Sequence, residues 1–126
     1  MPKELIEQRS LMAWVRLRKA TLPELDLLYA VPNGARRDKI TGAQLKASGT
    51  RRGVPDLCLP VARGGFHGLY LELKRRGSGV VSAEQRWWLD RLQKEGYRAV
   101  VCYGWLDARQ IIESYLGAAN HIGVDV

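Results

Sequence analysis

The chain has 126 residues, 46% of them apolar and 26% charged, the size and mixture of one globular domain with its own core, which excludes disorder as its main state. No apolar run approaches the ~20 residues of a bilayer span, and no apolar signal core follows Met1-Pro2-Lys3-Glu4, so membrane and secretory classes are set aside and a cytoplasmic setting is expected. Twenty Lys and Arg against thirteen Asp and Glu leave +7, an excess that favours a polyanionic partner, nucleic acid above all.

Leu5, Leu11, Met12, Trp14 and Val15 form an apolar stripe that predicts a helix over 3–20. Arg16, Arg18 and Lys19 come late in it, where cations complement the helix dipole. Leu27-Leu28-Tyr29-Ala30-Val31 reads as a buried strand ending in the turn Pro32-Asn33-Gly34. Residues 35–53 are basic and punctuated by glycine, with a short helix around Thr41–Ala47. Leu57–Val61 is a second strand, entered through Gly53-Val54-Pro55-Asp56, and Arg63-Gly64-Gly65 is a hairpin-type turn into a third strand, Gly68–Lys74. Gly77-Ser78-Gly79 reads as a flexible break. Ser82 opens a helix to about Glu95 that Gly96 stops, Tyr97–Tyr103 is a fourth strand and Asp107–Leu116 a last helix. Cys58 and Cys102 sit in apolar runs without metal-ligand spacing and read as buried, reduced thiols.

The order α-β-β-β-α-β-α predicts an α/β fold, a small mixed sheet flanked by helices, with the third and fourth strands parallel. One domain is expected over 1–126, its core at about 3–116 and a short tail at 117–126.

Side chains alternate faces along a strand, so Glu72 and Lys74 point one way while Leu71 and Leu73 point the other. If the second and third strands pair as a hairpin, Asp56 comes close to Glu72. Two converging carboxylates suit a hard cation such as Mg²⁺ or Mn²⁺, with the carbonyl of Leu73 as a further oxygen. Beside carboxylates Lys74 is held as its ammonium, a poor general base but a good group for orienting water and stabilising a phosphate transition state. An isolated Glu-x-Lys on a strand is more often a simple ion pair.

Gly53-Val54-Pro55-Asp56 followed by Glu72-Leu73-Lys74 resembles the PD-(D/E)XK nuclease signature, and the element order resembles the αβββαβ core of restriction-endonuclease-like folds. With Val31-Pro32-Asn33-Gly34, Gly68–Lys74 and Ser82–Trp88 added, the chain resembles the VRR-NUC family (virus-type replication-repair nucleases) over roughly residues 3–116. The resemblance implies metal-dependent phosphodiester hydrolysis with Asp56, Glu72 and Lys74 as motif residues. It implies a further catalytic and metal-ligating acid from the first helix, Glu4, spaced four residues before Gln8, with Glu7 one turn on as the alternative. It also implies a site role for Gln85, whose local reading is a capping-box partner of Ser82.

Arg36, Arg37, Lys39, Lys46, Arg51 and Arg52 crowd the segment after Asn33, and Arg75 and Arg76 follow Lys74. This reads as a surface that contacts DNA phosphates, with Asn33 beside it. His67 and His121 read as surface residues, and Trp87-Trp88 as one core and one partly exposed aromatic. A basic binding module with a nuclease-like fold and no catalysis is the other class open to this sequence. Stand-alone relatives in the resembled family, found in phages and bacteria, imply a homodimer acting on four-way (Holliday) junctions; a flap or nicking endonuclease is the runner-up. The dimer surface is expected on the tail with Ile122, Val124 and Val126, or on the last-helix face with Ile111, Ile112 and Tyr115.

Overall fold

A computed structural model describes residues 3–32, 42–77 and 79–118. Helix α1 (Lys3–Arg18) leads through a 3₁₀ turn at Pro23–Leu27 to β1 (Tyr29–Ala30), followed by α2 (Gly42–Ala47), β2 (Leu57–Leu59), β3 (Leu69–Lys74), α3 (Ala83–Lys94), β4 (Arg98–Tyr103) and α4 (Trp105–Tyr115). The four strands form one sheet in the order β1-β2-β3-β4. β1 and β2 are antiparallel, as are β2 and β3, while β3 and β4 are parallel from Leu69↔Arg98 to Lys74↔Tyr103. This is the mixed sheet that the element order predicts. Among the described residues, no helix is long and apolar enough to cross a membrane.

Alternation divides the sheet into two layers. Leu57, Leu59, Leu69, Leu71 and Leu73 pack with Leu11 and Val15 of α1 and Ala108 and Ile112 of α4 into one buried cluster. The other face of β3 carries Tyr70, Glu72 and Lys74, and α3 lies against the neighbouring β4. Because β3 is interior and covered on both sides, even Glu72 and Lys74 are buried on it. Cys58 and Cys102 are buried free thiols, as expected.

Local chemistry sets the boundaries. Ser82 caps α3 in a reciprocal capping box, with Gln85 N–H donating to Ser82 Oγ and Ser82 N–H donating to Gln85 Oε1. Gly64 and Gly65 both adopt positive φ between Arg63 and Phe66, whose backbones bond each other in both directions. That is the geometry of a two-residue turn that glycine accepts without strain. Pro60 lacks the N–H that would continue the ladder, so β2 ends at Leu59.

Four expectations are corrected. The run Leu27–Val31 is not a buried strand: Leu27 closes the 3₁₀ turn, and only Tyr29 and Ala30 pair with β2, both exposed at the edge of the sheet. The core stripe of α1 is Glu7–Leu11–Val15, at four-residue spacing, which leaves Leu5 outside it and 43% exposed. α4 starts two residues earlier than expected, at Trp105. Its Ile112 is fully buried in the chain's own core, with Ile111 and Tyr115 packed alongside, so that face is covered from within. Leu116 and Ala118 also join this core, and the remaining tail with Ile122, Val124 and Val126 lies outside the described residues.

Candidate active site

The register Leu57↔Leu71 continues outward to place Asp56 beside Glu72, on the face that alternation assigns to Lys74 as well. The Asp56 side chain replaces the missing ladder partner at the end of β2: its Oδ2 accepts from Leu73 N–H at 2.8 Å. Within a strand, a residue's N–H and C=O point to the same edge, so the Leu73 carbonyl faces the Asp56 side too. The approach to Asp56 is fixed by Gly53, whose φ of +86° and lack of Cβ let the loop lie on the first turn of α3; a Cβ there would stand 2.6 Å from the Glu84 carbonyl carbon.

Glu72 is 1% exposed. Its Oε2 accepts from Gln85 Nε2 at 2.9 Å and lies 3.6 Å from Lys74 Nζ. Its Oε1 is buried with no hydrogen-bond partner. Burial, reinforced by the neighbouring Asp56 charge, pushes the Glu72 carboxyl up to about 8, against the pull of Lys74. Burial also raises the half-buried Asp56, with the Leu73 N–H bond opposing. Two desolvated acids thus face one ammonium, with a buried carboxylate oxygen left over. A divalent cation fits that donor set: it would replace the proton that Glu72 retains and satisfy the orphaned Oε1. Among the described residues, no three Asp, Glu, His or Cys side chains converge as a closed cation cage. The acids open to such a cation are therefore the two that the sheet brings together, Asp56 and Glu72.

Lys74 is buried over its whole length, and the structure shows why it cannot swing away. The Gly79 backbone lies against its stem so tightly that a Cβ at 79 would stand 2.4 Å from Lys74 Cβ. Glu4, exposed at the start of α1, reaches Lys74 Nζ at 4.0 Å, so it meets the cluster through the lysine. Glu7 turns elsewhere. It is buried, its Oε1 accepts from Trp105 N–H at 2.9 Å at the start of α4, and its Oε2 stands 3.6 Å from Arg76 Nε. Of the two helix acids, only Glu4 is brought to Lys74. Gln85 satisfies both of its readings at once, Oε1 in the capping box and Nε2 on Glu72.

Lys46, Arg51, Arg52, Arg75 and Arg76 are all exposed, while Asn33, Arg36, Arg37 and Lys39 lie outside the described residues. Neither tryptophan of α3 is a core residue. Trp88 is half-buried and donates Nε1–H to Arg52 O at 3.0 Å, and Trp87 is 43% exposed. Three features carried no local signal in the sequence: the Gly79 seat under Lys74, the Gly53 contact with α3, and the Glu7 bond across to α4. The last two join residues distant in the chain.

The family model of the VRR-NUC domain matches residues 3–105. A solved structure described as a VRR_NUC domain protein is similar at a TM-score of 0.80 and 30% identity, over 94% of this chain and 91% of that one. No curated protein matches. The matched segment contains all of Glu4, Asp56, Glu72, Lys74 and Gln85 together with the four-strand sheet that carries them, and the chain belongs to the VRR-NUC family, nucleases by type.

Proposed function

We propose that the chain is a divalent-metal-dependent, structure-specific DNA endonuclease that acts on four-way junctions as a homodimer. The observation that carries the hydrolytic reading is the Asp56–Glu72–Lys74–Gln85 cluster, buried at Glu72 and Lys74, with its unsatisfied Glu72 Oε1. Asp56, Glu72 and the Leu73 carbonyl would hold Mg²⁺ or Mn²⁺, which would supply positive charge against a phosphodiester and acidify water. The protein's own groups do the rest. Gln85 fixes the Glu72 carboxylate, and the Leu73 N–H fixes Asp56. Lys74, pinned by Gly79 and Glu72, presents its ammonium to the non-bridging oxygens as water adds to phosphorus and the bond to one bridging oxygen breaks, the attacking water losing a proton to solvent and the leaving oxygen taking one from solvent. Glu4 shares the Lys74 charge and steadies its direction. The exposed cations Lys46, Arg51, Arg52, Arg75 and Arg76, with Asn33, Arg36, Arg37 and Lys39, contact the DNA backbone.

The test is cleavage of a labelled four-way junction beside a linear duplex of the same sequence, with Mg²⁺ or Mn²⁺ and with EDTA. The expected result is metal-dependent cutting of the junction and little of the duplex. Lys74→Ala should lower the rate by at least ~100-fold while junction binding stays near wild type, because the lost charge acts in the transition state. Equal cutting of junction and duplex would reject the junction reading. Cleavage by Lys74→Ala at the wild-type rate would reject the assignment of Lys74.

A further inference from the structure

Beside the active site, α3 displays an aromatic ring that its own fold leaves uncovered. Trp87 is 43% exposed although it is a large apolar side chain on a helix with an available sheet to bury it. It is braced on several sides. The guanidinium of Arg91 lies 4.8 Å from the Trp87 ring centre, that of Arg51 lies 5.6 Å from it, and Trp88 meets it edge-on at 5.4 Å. Arg51 also lies 5.1 Å from the Trp88 ring, and Trp88 is tied to the same loop through Arg52 O. A cavity of about 450 Å³ opens here, lined by both tryptophans, Arg91 and Lys94, with Glu95 the one acid in its wall.

We propose that Trp87, flanked by Arg51 and Arg91, is a stacking platform for a base of an unpaired DNA strand. The proposal rests on the nuclease reading for the identity of the strand, and it names a substrate feature that the reading lacks. A nucleotide answers both properties of the patch: its base offers a planar π-face to the indole and the guanidinium planes, and its phosphate offers charge to the arginines. An apolar peptide would meet the ring but desolvate two guanidinium groups without pairing them. Base faces inside a duplex are covered by their neighbours, so the platform can engage only where stacking is interrupted, at a branch point, a flap or a free strand. Position supports the same reading. Trp87 is two residues from Gln85, which touches Glu72, and sits on the far side of a helix about 10 Å across. Arg51 belongs to the loop that delivers Asp56. A strand leaving the active site reaches the ring within a few nucleotides.

The experiment is fluorescence anisotropy of a labelled single-stranded oligonucleotide and of a blunt duplex of equal length, using the full chain in EDTA so that nothing is cut. Trp87→Ala should weaken single-strand binding roughly tenfold and duplex binding less than about twofold, and Trp87→Phe should restore most of the loss. Should Trp87→Ala not fold, Trp87→Leu keeps the apolar bulk without a π-face and should show the same selective loss. Unchanged single-strand affinity, or an equal loss for both DNAs, would overturn the platform. A chain that shows the selective loss yet cuts no DNA with metal overturns only the nuclease reading, whereas a chain that cuts and binds single strands indifferently to Trp87 overturns only the platform.

Discussion

At the scale of single residues, the site is a problem of unbalanced charge. Glu72 holds a proton more tightly in the folded chain than in the unfolded one, because burial and Asp56 oppose its ionisation. A raised carboxyl stabilises the fold fully below its ordinary value of 4.5 and loses that contribution as pH rises through about 8. In EDTA, stability should therefore fall over this window by on the order of a few kcal/mol. Glu72→Gln, which cannot ionise, should lack that fall, and thermal midpoints of the two proteins across the window check it. Parallel curves would show that Glu72 ionises without penalty. The two helix acids separate by a different measurement. Glu7→Ala strips the partner from Trp105 N–H and should cost about 1–3 kcal/mol of stability while cleavage at low temperature persists. Glu4→Ala should leave the midpoint in place and slow cleavage, because its exposed carboxylate faces the Lys74 ammonium and the Asp56 carboxylate of the site. The reverse pattern would transfer the site role to Glu7.

At the scale of elements, the loops do as much positioning as the strands. Gly79 is the sharpest case: a methyl group there must displace either the loop or Lys74. Gly79→Ala is expected to cost about 1–3 kcal/mol of stability through this clash and, at a temperature where it is still folded, to cut at least ~10-fold more slowly, since small misplacements of a catalytic group are expensive. Val80→Ala, removing an 80% exposed side chain next door, should match wild type in both. A Gly79→Ala protein with full activity would mean that Lys74 tolerates displacement. The same elements show what a sequence can reveal. α3 was legible end to end, because a capping box and a stop glycine are local signals, and Glu72 and Lys74 were legible because strand alternation is local too. β1 was not, since an apolar run does not say that it lies at a sheet edge after a 3₁₀ turn. Glu7 reads from sequence as an alternative site acid because nothing near it announces a bond to Trp105, 98 residues away. Asp56 fell between: its motif was visible, but its contact with Leu73 N–H depends on the β2–β3 register.

At the scale of the whole molecule, one chain carries one cluster, while a four-way junction is resolved by two nicks in strands of like polarity. A two-fold dimer presents two clusters related by the approximate symmetry of the junction, which a single chain cannot do in one encounter. The last-helix face no longer supplies the contact, since Ile112 and its neighbours pack inward. The outer edge of β4 is partly closed as well: Gln93 Nε2 donates to Ala99 O, and Tyr103 N–H donates to Asp107, so two of its outward backbone groups are already engaged. Sheet joining through β4 is therefore disfavoured. The chain mass is 14.2 kDa. Light scattering at micromolar concentration should give about twice that, alone or at least on a junction, and Asp56→Asn in EDTA should give the same value because assembly does not depend on the metal site. A mass of one chain in both states would refute the dimer. Cleavage that nicks only one strand per encounter would then be expected, making the protein a nicking or flap endonuclease.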